Sequence, residues 1–276
     1  MSHKVLILCG GRGIIDPATR QRIPKAMIQI GGHPLLWHVM QSFANAGHSD
    51  FLLALGEGGD EIRRHFLHQH VADRDVEFNG ASGEIRYLTR STAEHWTVKC
   101  IDTGINAQTG SRIARCRRYL EGEAFFTTYS DCLCNVDLQA LANAHRADPH
   151  RVLTVTGVRP PSRFGTFTVR GSAVDGYSAE SRLAGVGGFL NGGFMLVEPA
   201  LFGHLDVFSE CSLEREVFTD LAAARKVGVF AHHGYWQAVD TERDIETVSA
   251  LYLANQRPWL HPDSPAPDGP PPPVTP

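Results

Sequence analysis

The sequence predicts an α/β protein: a mixed, mostly parallel central sheet with helices on both faces and antiparallel additions in its second half. Two observations lead there. Up to Val158, apolar runs of strand length alternate with segments of helical period. Such alternation favours parallel strands joined by covering helices. Beyond Val158 three strand-like runs follow one another through short links, which suits antiparallel pairing.

Each element carries its own signal. Lys4–Cys9 is an apolar run broken by Gly10, Gly11 and Gly13, so the first strand ends in a glycine turn. Pro34–Ala46 has a helical period, with Pro34 in its first turn and Gly47 just past its end. Phe51–Leu55 is the next strand and Asp60–His70 the next helix. Short strands follow around Glu84–Leu88 and Val98–Ile101. The run Arg112 to Arg118, RIARCRR, reads as a helix whose apolar face is Ile113, Cys116 and Leu120, with the arginines mostly in solvent. Ala124–Tyr129 is a strand that ends at Ser130-Asp131, Asp137–Ala147 a helix, and Val152–Val158 a strand. Thr166–Val169, Val174–Ser178 and Phe189–Val197 are the later strands, and Leu213–Ala224 and Arg243–Asn255 the last helices.

Composition sets the outer limits. The chain has 276 residues, of which 42% are hydrophobic and 20% charged, as in ordinary soluble domains. From Pro258 onward the sequence holds nine of the sixteen prolines and reads as a disordered or polyproline tail. Residues 1–257 then form one domain, with no internal repeat or linker, and 258–276 the tail. A net charge of −4 argues against general binding to nucleic acid or an anionic membrane. The apolar run at the N-terminus is too short for a secretion signal, and no stretch reaches membrane-spanning length. Six scattered cysteines are then most simply reduced thiols in a cytoplasmic protein. Cys132-Leu133-Cys134 lacks a second pair at zinc-site spacing, and the histidines of His65–His70 read as a solvated helix face.

Chemistry concentrates at the predicted strand ends. Glycines let backbone N–H groups face an anion closely, and Lys25, following Pro24, adds a point charge. The spacing is neither GxGxxG nor a Walker A loop, so a phosphate is the guest without either of those motifs. Asp131 ends an apolar strand and Asp240 follows the aromatic stretch Tyr235-Trp236. Each is either a turn-former or half of a Mg²⁺ site, and Asp244 is a candidate cap for the last helix. In open α/β sheets, ligands bind beyond the carboxyl ends of the strands, where both candidate elements sit.

The ordered motifs GGxG, PK-x-M, IGGHPLLWHVM, WTVKCIDTG, TGSR, FTTYSD, RFG, LNGGF and YWQAVDTERD run from Val5 to about Trp259. In that order they resemble the glucose-1-phosphate cytidylyltransferases, a branch of the sugar-phosphate nucleotidyltransferases. The resemblance implies a Rossmann-like nucleotidyltransferase fold and attack of an acceptor phosphate oxygen on the α-phosphorus of CTP, with pyrophosphate leaving in line. It implies that Leu8, Cys9, Gly10, Gly11, Arg12 and Gly13 wrap the nucleotide with backbone amides, and that Lys25 neutralises its phosphates. Thr109 and Arg112 match the nucleotide-contacting segment, Asp131 and Asp240 the Mg²⁺ ligands, and Glu180, Asn191, Gly192 and Gly193 the acceptor side. A homo-oligomer is implied by analogy.

Two departures stand out. Where the family has Gly-Thr-Arg after its paired glycines, Gly13 is followed by Ile14 and Ile15. Where it has Glu-Lys-Pro, Glu180 is followed by Ser181 and Arg182. Arg12, Arg20 or Arg22 could supply the first missing charge and Arg182 the second, although arginine and lysine differ in reach and geometry. The expected acceptor is therefore a phosphorylated sugar or sugar-like molecule other than glucose 1-phosphate. The alternatives are another nucleotide with a cyclitol phosphate or phosphonate, and a non-catalytic nucleotide-binding regulatory paralogue.

Overall fold

The computed structural model describes residues 2–15, 20–72, 74–89, 94–159, 166–170, 173–178, 189–207 and 210–261. At its centre are β1 (Val5–Cys9), β2 (Asp50–Leu55), β3 (Thr97–Asp102), β4 (Phe125–Tyr129), β5 (Leu153–Val158), β6 (Leu190–Val197) and β7 (Val227–His232). These seven form one sheet in the order β7-β5-β6-β4-β1-β2-β3. Neighbours are parallel except at β6, which runs against both β4 and β5.

β1 shows why the run is apolar at every position. Val5, Ile7 and Cys9 join the core on one face, Leu6 and Leu8 the core on the other, and all five are buried. Successive side chains alternate across a strand, so a strand covered on both faces needs apolar residues throughout. Helices α1 (Leu35–Asn45), α2 (Gly59–Ala72), α5 (Leu138–Arg146) and α7 (Glu242–Leu253) cover the first face. Helices α3 (Thr109–Arg115), α4 (Arg117–Leu120) and α6 (Phe218–Ala223) cover the second. α1 buries Leu35, Leu36, Val39, Met40 and Phe43, each a stabilisation of about 1.5–3 kcal/mol. It ends at Gly47, whose φ of +88° is the left-handed turn that glycine adopts most readily.

The fold class is that of the sequence reading, and the differences are local. The single arginine helix is two, α3 and α4, broken at Cys116. Arg112 is not on a solvated face: it is 4% exposed. The helix expected from Leu213 opens as a π-helical segment, Leu213–Val217, before α6 begins. The short strands Cys132–Cys134 and Trp236–Ala238 pair antiparallel outside the main sheet. Both cysteines are buried, which pushes their thiols up, Cys134 to about 12. Among the described residues no three His, Cys, Asp or Glu side chains gather as for a metal ion. All six cysteines are free, and no described helix is long and apolar enough to cross a membrane.

The C-terminal boundary also shifts. Pro258–Leu260 forms a 3₁₀ turn rather than the start of a tail, and Trp259 is 1% exposed. Its indole Nε1 donates to Nδ1 of the buried His38 at 3.3 Å, and its ring lies 5.7 Å from that of Tyr235. The proline-rich remainder, 262–276, lies outside the described residues.

Candidate active site

β1 and β4 are parallel neighbours with Leu8 in register with Tyr129, so the glycine turn and Ser130-Asp131 leave the sheet side by side. The antiparallel pair Cys132–Cys134 and Trp236–Ala238 extends beyond β4, and the Val239 N–H donates to the Asp131 carbonyl at 2.8 Å. That ladder delivers Asp240 to the end of β4. Asp240 is held from behind by α7, where the Asp240 and Thr241 N–H groups donate to Asp244 Oδ2 at 3.2 and 2.9 Å. Thr241 is the N-cap of α7 and Asp244 the N3 residue of its capping box, so Asp244 takes part in the cap without being the N-cap itself.

Lys25 enters on the single 3₁₀ turn Lys25–Met27, anchored by buried Ala26 and Met27. Its Nζ donates to Asp131 Oδ2 at 3.0 Å and to Asp240 Oδ1 at 2.5 Å. Burial alone would lower its pKa, but the two carboxylates outweigh burial and hold the ammonium above its ordinary value. Since both contacts are to one nitrogen, the two carboxylate oxygens lie within about 5.5 Å of each other. Magnesium bonds oxygen at about 2.1 Å, so one ion shared by both would draw the oxygens to within about 4.2 Å and displace the Lys25 ammonium toward the phosphates. The donor set fits a hard divalent cation: two carboxylates, with phosphate oxygens or water for the remaining positions.

The glycine turn is tied down by Arg112. Its guanidinium donates to the carbonyls of Gly10 (2.9 Å), Leu55 (3.0 Å), Gly104 (2.9 Å) and Ile105 (3.1 Å), and to Thr103 Oγ1 (2.8 Å). One side chain thus fastens the segments leaving β1, β2 and β3. A Cβ at Gly10 would lie 2.0 Å from Arg112 Cζ, so only glycine fits there. Leu8 and Cys9 are buried in the sheet. Gly11 and Arg12 are exposed, and the Arg12 carbonyl accepts from Arg22 at 3.0 Å. Gly13 leads into the short strand Ile14–Ile15, and Ile15, at the position of the family's arginine, is 45% exposed.

The TGSR motif faces inward at all four positions. Thr109 Oγ1 donates to Glu214 Oε2 at 2.6 Å and accepts from the Leu213 N–H at 2.9 Å. Gly110 packs on the Cys211 carbonyl, Ser111 exchanges hydrogen bonds with Cys211, and Arg112 grips the turns. The Thr109 hydroxyl and the Arg112 guanidinium are therefore committed to the protein itself.

On the acceptor side, Asn191 is exposed at the start of β6 and its Oδ1 accepts from the Gly193 N–H at 2.9 Å. Gly193 has φ +85°, and a Cβ there would meet the Tyr129 ring at 2.7 Å. The Gly192 carbonyl accepts from Trp236 Nε1 at 2.9 Å. Glu180, the remaining acceptor candidate, lies outside the described residues. Tyr129, Glu214 and Trp236 were not among the sequence candidates. Their only local signal is an ordinary strand end, a charged helix start and an aromatic run.

The sequence profile described as Nucleotidyl transferase matches residues 4–177. The chain is similar to the probable glucose-1-phosphate cytidylyltransferase of Bacillus subtilis, with 32% identity over 93% of this chain and 98% of the relative. The glucose-1-phosphate cytidylyltransferase of Salmonella typhimurium matches at the same identity and coverage. Among solved structures, HddC from Yersinia pseudotuberculosis shares the fold at a TM-score of 0.62 and 18% identity, covering 91% of this chain and 99% of that one. The inositol-1-phosphate CTP transferase from T. maritima superposes at 0.60 with 15% identity, covering 93% and 96%.

Proposed function

The chain belongs to the nucleotidyl transferase family, and from that premise we propose that it joins cytidine monophosphate from CTP to a phosphorylated sugar or sugar-like acceptor, releasing pyrophosphate. The observation that carries the proposal is the meeting of Lys25, Asp131 and Asp240 beside the glycine turn. Phosphoryl chemistry of this kind asks the protein for alignment and charge neutralisation rather than a nucleophile. Gly10, Gly11, Arg12 and Gly13 offer backbone amides to the triphosphate, with Leu8 and Cys9 supporting them from the sheet. Lys25 balances charge on the phosphates. Mg²⁺ held by Asp131 and Asp240 supplies further neutralisation at the reacting phosphates. In this reading Thr109 and Arg112 shape the nucleotide subsite through the turns they fix. Asn191, Gly192 and Gly193, with Glu180, orient the acceptor so that its phosphate oxygen lies in line with the departing pyrophosphate.

Self-association belongs to the same reading, as does a cytoplasmic location, and sedimentation of the purified chain tests the former. The exposed Ile15 favours a second reading, a nucleotide-binding protein without turnover. The experiment that separates the two is pyrophosphate release from CTP, UTP, GTP and ATP with Mg²⁺. The acceptor panel is glucose 1-phosphate, mannose 1-phosphate, inositol 1-phosphate and a phosphonate. Turnover is expected with CTP and with an acceptor other than glucose 1-phosphate. No release in any pairing would leave only the binding reading, and a purine preference would remove the cytidylyl assignment.

A further inference from the structure

Glu214 stands at the focus of hydroxyl donors from three parts of the chain. Tyr129 Oη donates to its Oε1 at 2.5 Å, while Thr109 Oγ1 and Ser212 Oγ donate to Oε2 at 2.6 and 3.1 Å. Tyr129 Oη in turn accepts from Asn191 Nδ2 at 3.1 Å. A continuous path of hydrogen bonds therefore runs from Thr109, at the start of α3, through Glu214 and Tyr129 to Asn191.

The path has a direction set by hydrogen-bond chemistry. A carboxylate only accepts, so it fixes the hydroxyl hydrogens of both Thr109 and Tyr129 toward itself. With its hydrogen committed to Glu214, the Tyr129 oxygen can only accept from Asn191. That assigns the Asn191 side chain: its nitrogen points to Tyr129 and its oxygen to the Gly193 N–H. One amide hydrogen and one oxygen lone pair of Asn191 are left for a ligand. The Tyr129 phenol is held neutral, chiefly by burial and then by the Glu214 charge beside it, so it remains the donor the path requires. Glu214 itself projects from the π-helical segment Leu213–Val217, a wide turn that is rare and recurs where a side chain must be aimed.

We infer that Glu214 is a positioning residue for the acceptor: through Tyr129 it fixes which face of the Asn191 amide meets the acceptor's hydroxyl groups. The inference rests on the transferase reading above and adds to it a residue that touches neither substrate. The Tyr129 arm of the path ends on Asn191, so its loss is felt by the acceptor, while Thr109 keeps its bond to Glu214 on the nucleotide side.

The test is steady-state kinetics of the full chain, with CTP and whichever of glucose 1-phosphate or inositol 1-phosphate the wild type turns over. Tyr129→Phe keeps the ring against Gly193 and deletes only the relay oxygen. It should raise KM for the acceptor about tenfold and leave KM for CTP within twofold. Glu214→Gln should raise the acceptor KM as far, with any change in KM for CTP arising through Thr109, and the two changes together should raise the acceptor KM no further than either alone, since both break one arm. Equal effects on both substrates in Tyr129→Phe, or additive effects on the acceptor KM in the double variant, would mean a merely structural role and overturn the inference while sparing the transferase reading. An unchanged acceptor KM in Tyr129→Phe would overturn it as well. Absence of turnover in the wild type with both probes would retire that reading for these acceptors and the inference with it.

Discussion

The Val239 N–H donates to the carbonyl of Asp131 at 2.8 Å, so the backbone beside one acidic residue is bonded to the residue that precedes the other. Asp131 and Asp240 are far apart in sequence, yet a β-ladder brings them together on either side of the Lys25 ammonium. Asp131→Asn and Asp240→Asn should each abolish most turnover. Circular dichroism and the melting temperature should stay near wild type, because each change leaves the ladder intact and Lys25 keeps the other carboxylate as a partner in a partly exposed ion pair. A large loss of melting temperature in either variant would make these carboxylates structural.

Gly10 and Arg112 form the second relationship with a measurable outcome. Gly10→Ala drives a methyl group into the guanidinium and should release the carbonyls of Gly10, Leu55 and Gly104 together. Arg112→Lys leaves one ammonium in place of a planar fork that reaches five oxygens. Each variant should lose at least about 2 kcal/mol in urea unfolding, since buried hydrogen bonds from a charged group are worth about 1.5–3 kcal/mol each. Unfolding curves that overlay the wild type would remove Arg112 from its anchoring role.

The glycine turn lacks the family's arginine, and Arg12 is the exposed cation within it. Its carbonyl is held by Arg22, which fixes the backbone and leaves the Arg12 side chain to reach toward a triphosphate. Arg12→Ala should raise KM for the nucleotide at least tenfold, about 1.4 kcal/mol in transition-state terms. Ile15→Arg should partly rescue that variant. If neither change moves nucleotide KM, the turn does not hold a triphosphate by side-chain charge.

Stability should fall on the acid side through two buried histidines. Burial lowers His38 from 6.5 to about 4, and its neutral ring donates from Nε2 to the Ile30 carbonyl while Nδ1 accepts from Trp259. Burial likewise lowers His48 to about 4, with His3 adding to the effect. Below pH 6.5 the unfolded chain takes up protons that the folded one refuses, so stability is full above that value and declines between pH 6.5 and 4. Each ring contributes up to about 3 kcal/mol of that decline. His38→Gln should melt lower than wild type at pH 7.5 yet lose less between pH 6.5 and 4.5. An equal slope in the two proteins would exclude His38 from the acid transition.

Much of the sheet was legible because strands buried on two sides favour apolar residues at successive positions, as in Val5–Cys9 and Phe51–Leu55. Asp131 was legible for the same reason, as the first acid after such a run. Arg112 was not: a guanidinium buried among carbonyls looks, in sequence, like one more solvated arginine of a basic helix. Glu214 left no mark because its partners, Thr109, Tyr129 and Ser212, converge only in space. Trp259 was absorbed into the proline-rich tail because composition averages over a window, whereas its indole is inserted beside His38.

β5 leaves the sheet at Val158 and the chain re-enters β6 at Leu190, and these two residues are register partners. The chain between them, in which the hairpin Thr166–Arg170 with Ala173–Ser178 is described, is an excursion that departs from and returns to one point of the sheet. That point adjoins Asn191 on β6, with β4 between it and β1, the nearest of the strands whose exits Arg112 binds. Residues 159–189 can thus change in length and sequence while β5 and β6 keep their register and the strands that Arg112 ties stay as they are. The motif loss at Ser181 falls inside that excursion, where a lineage changing its substrate would be expected to record it.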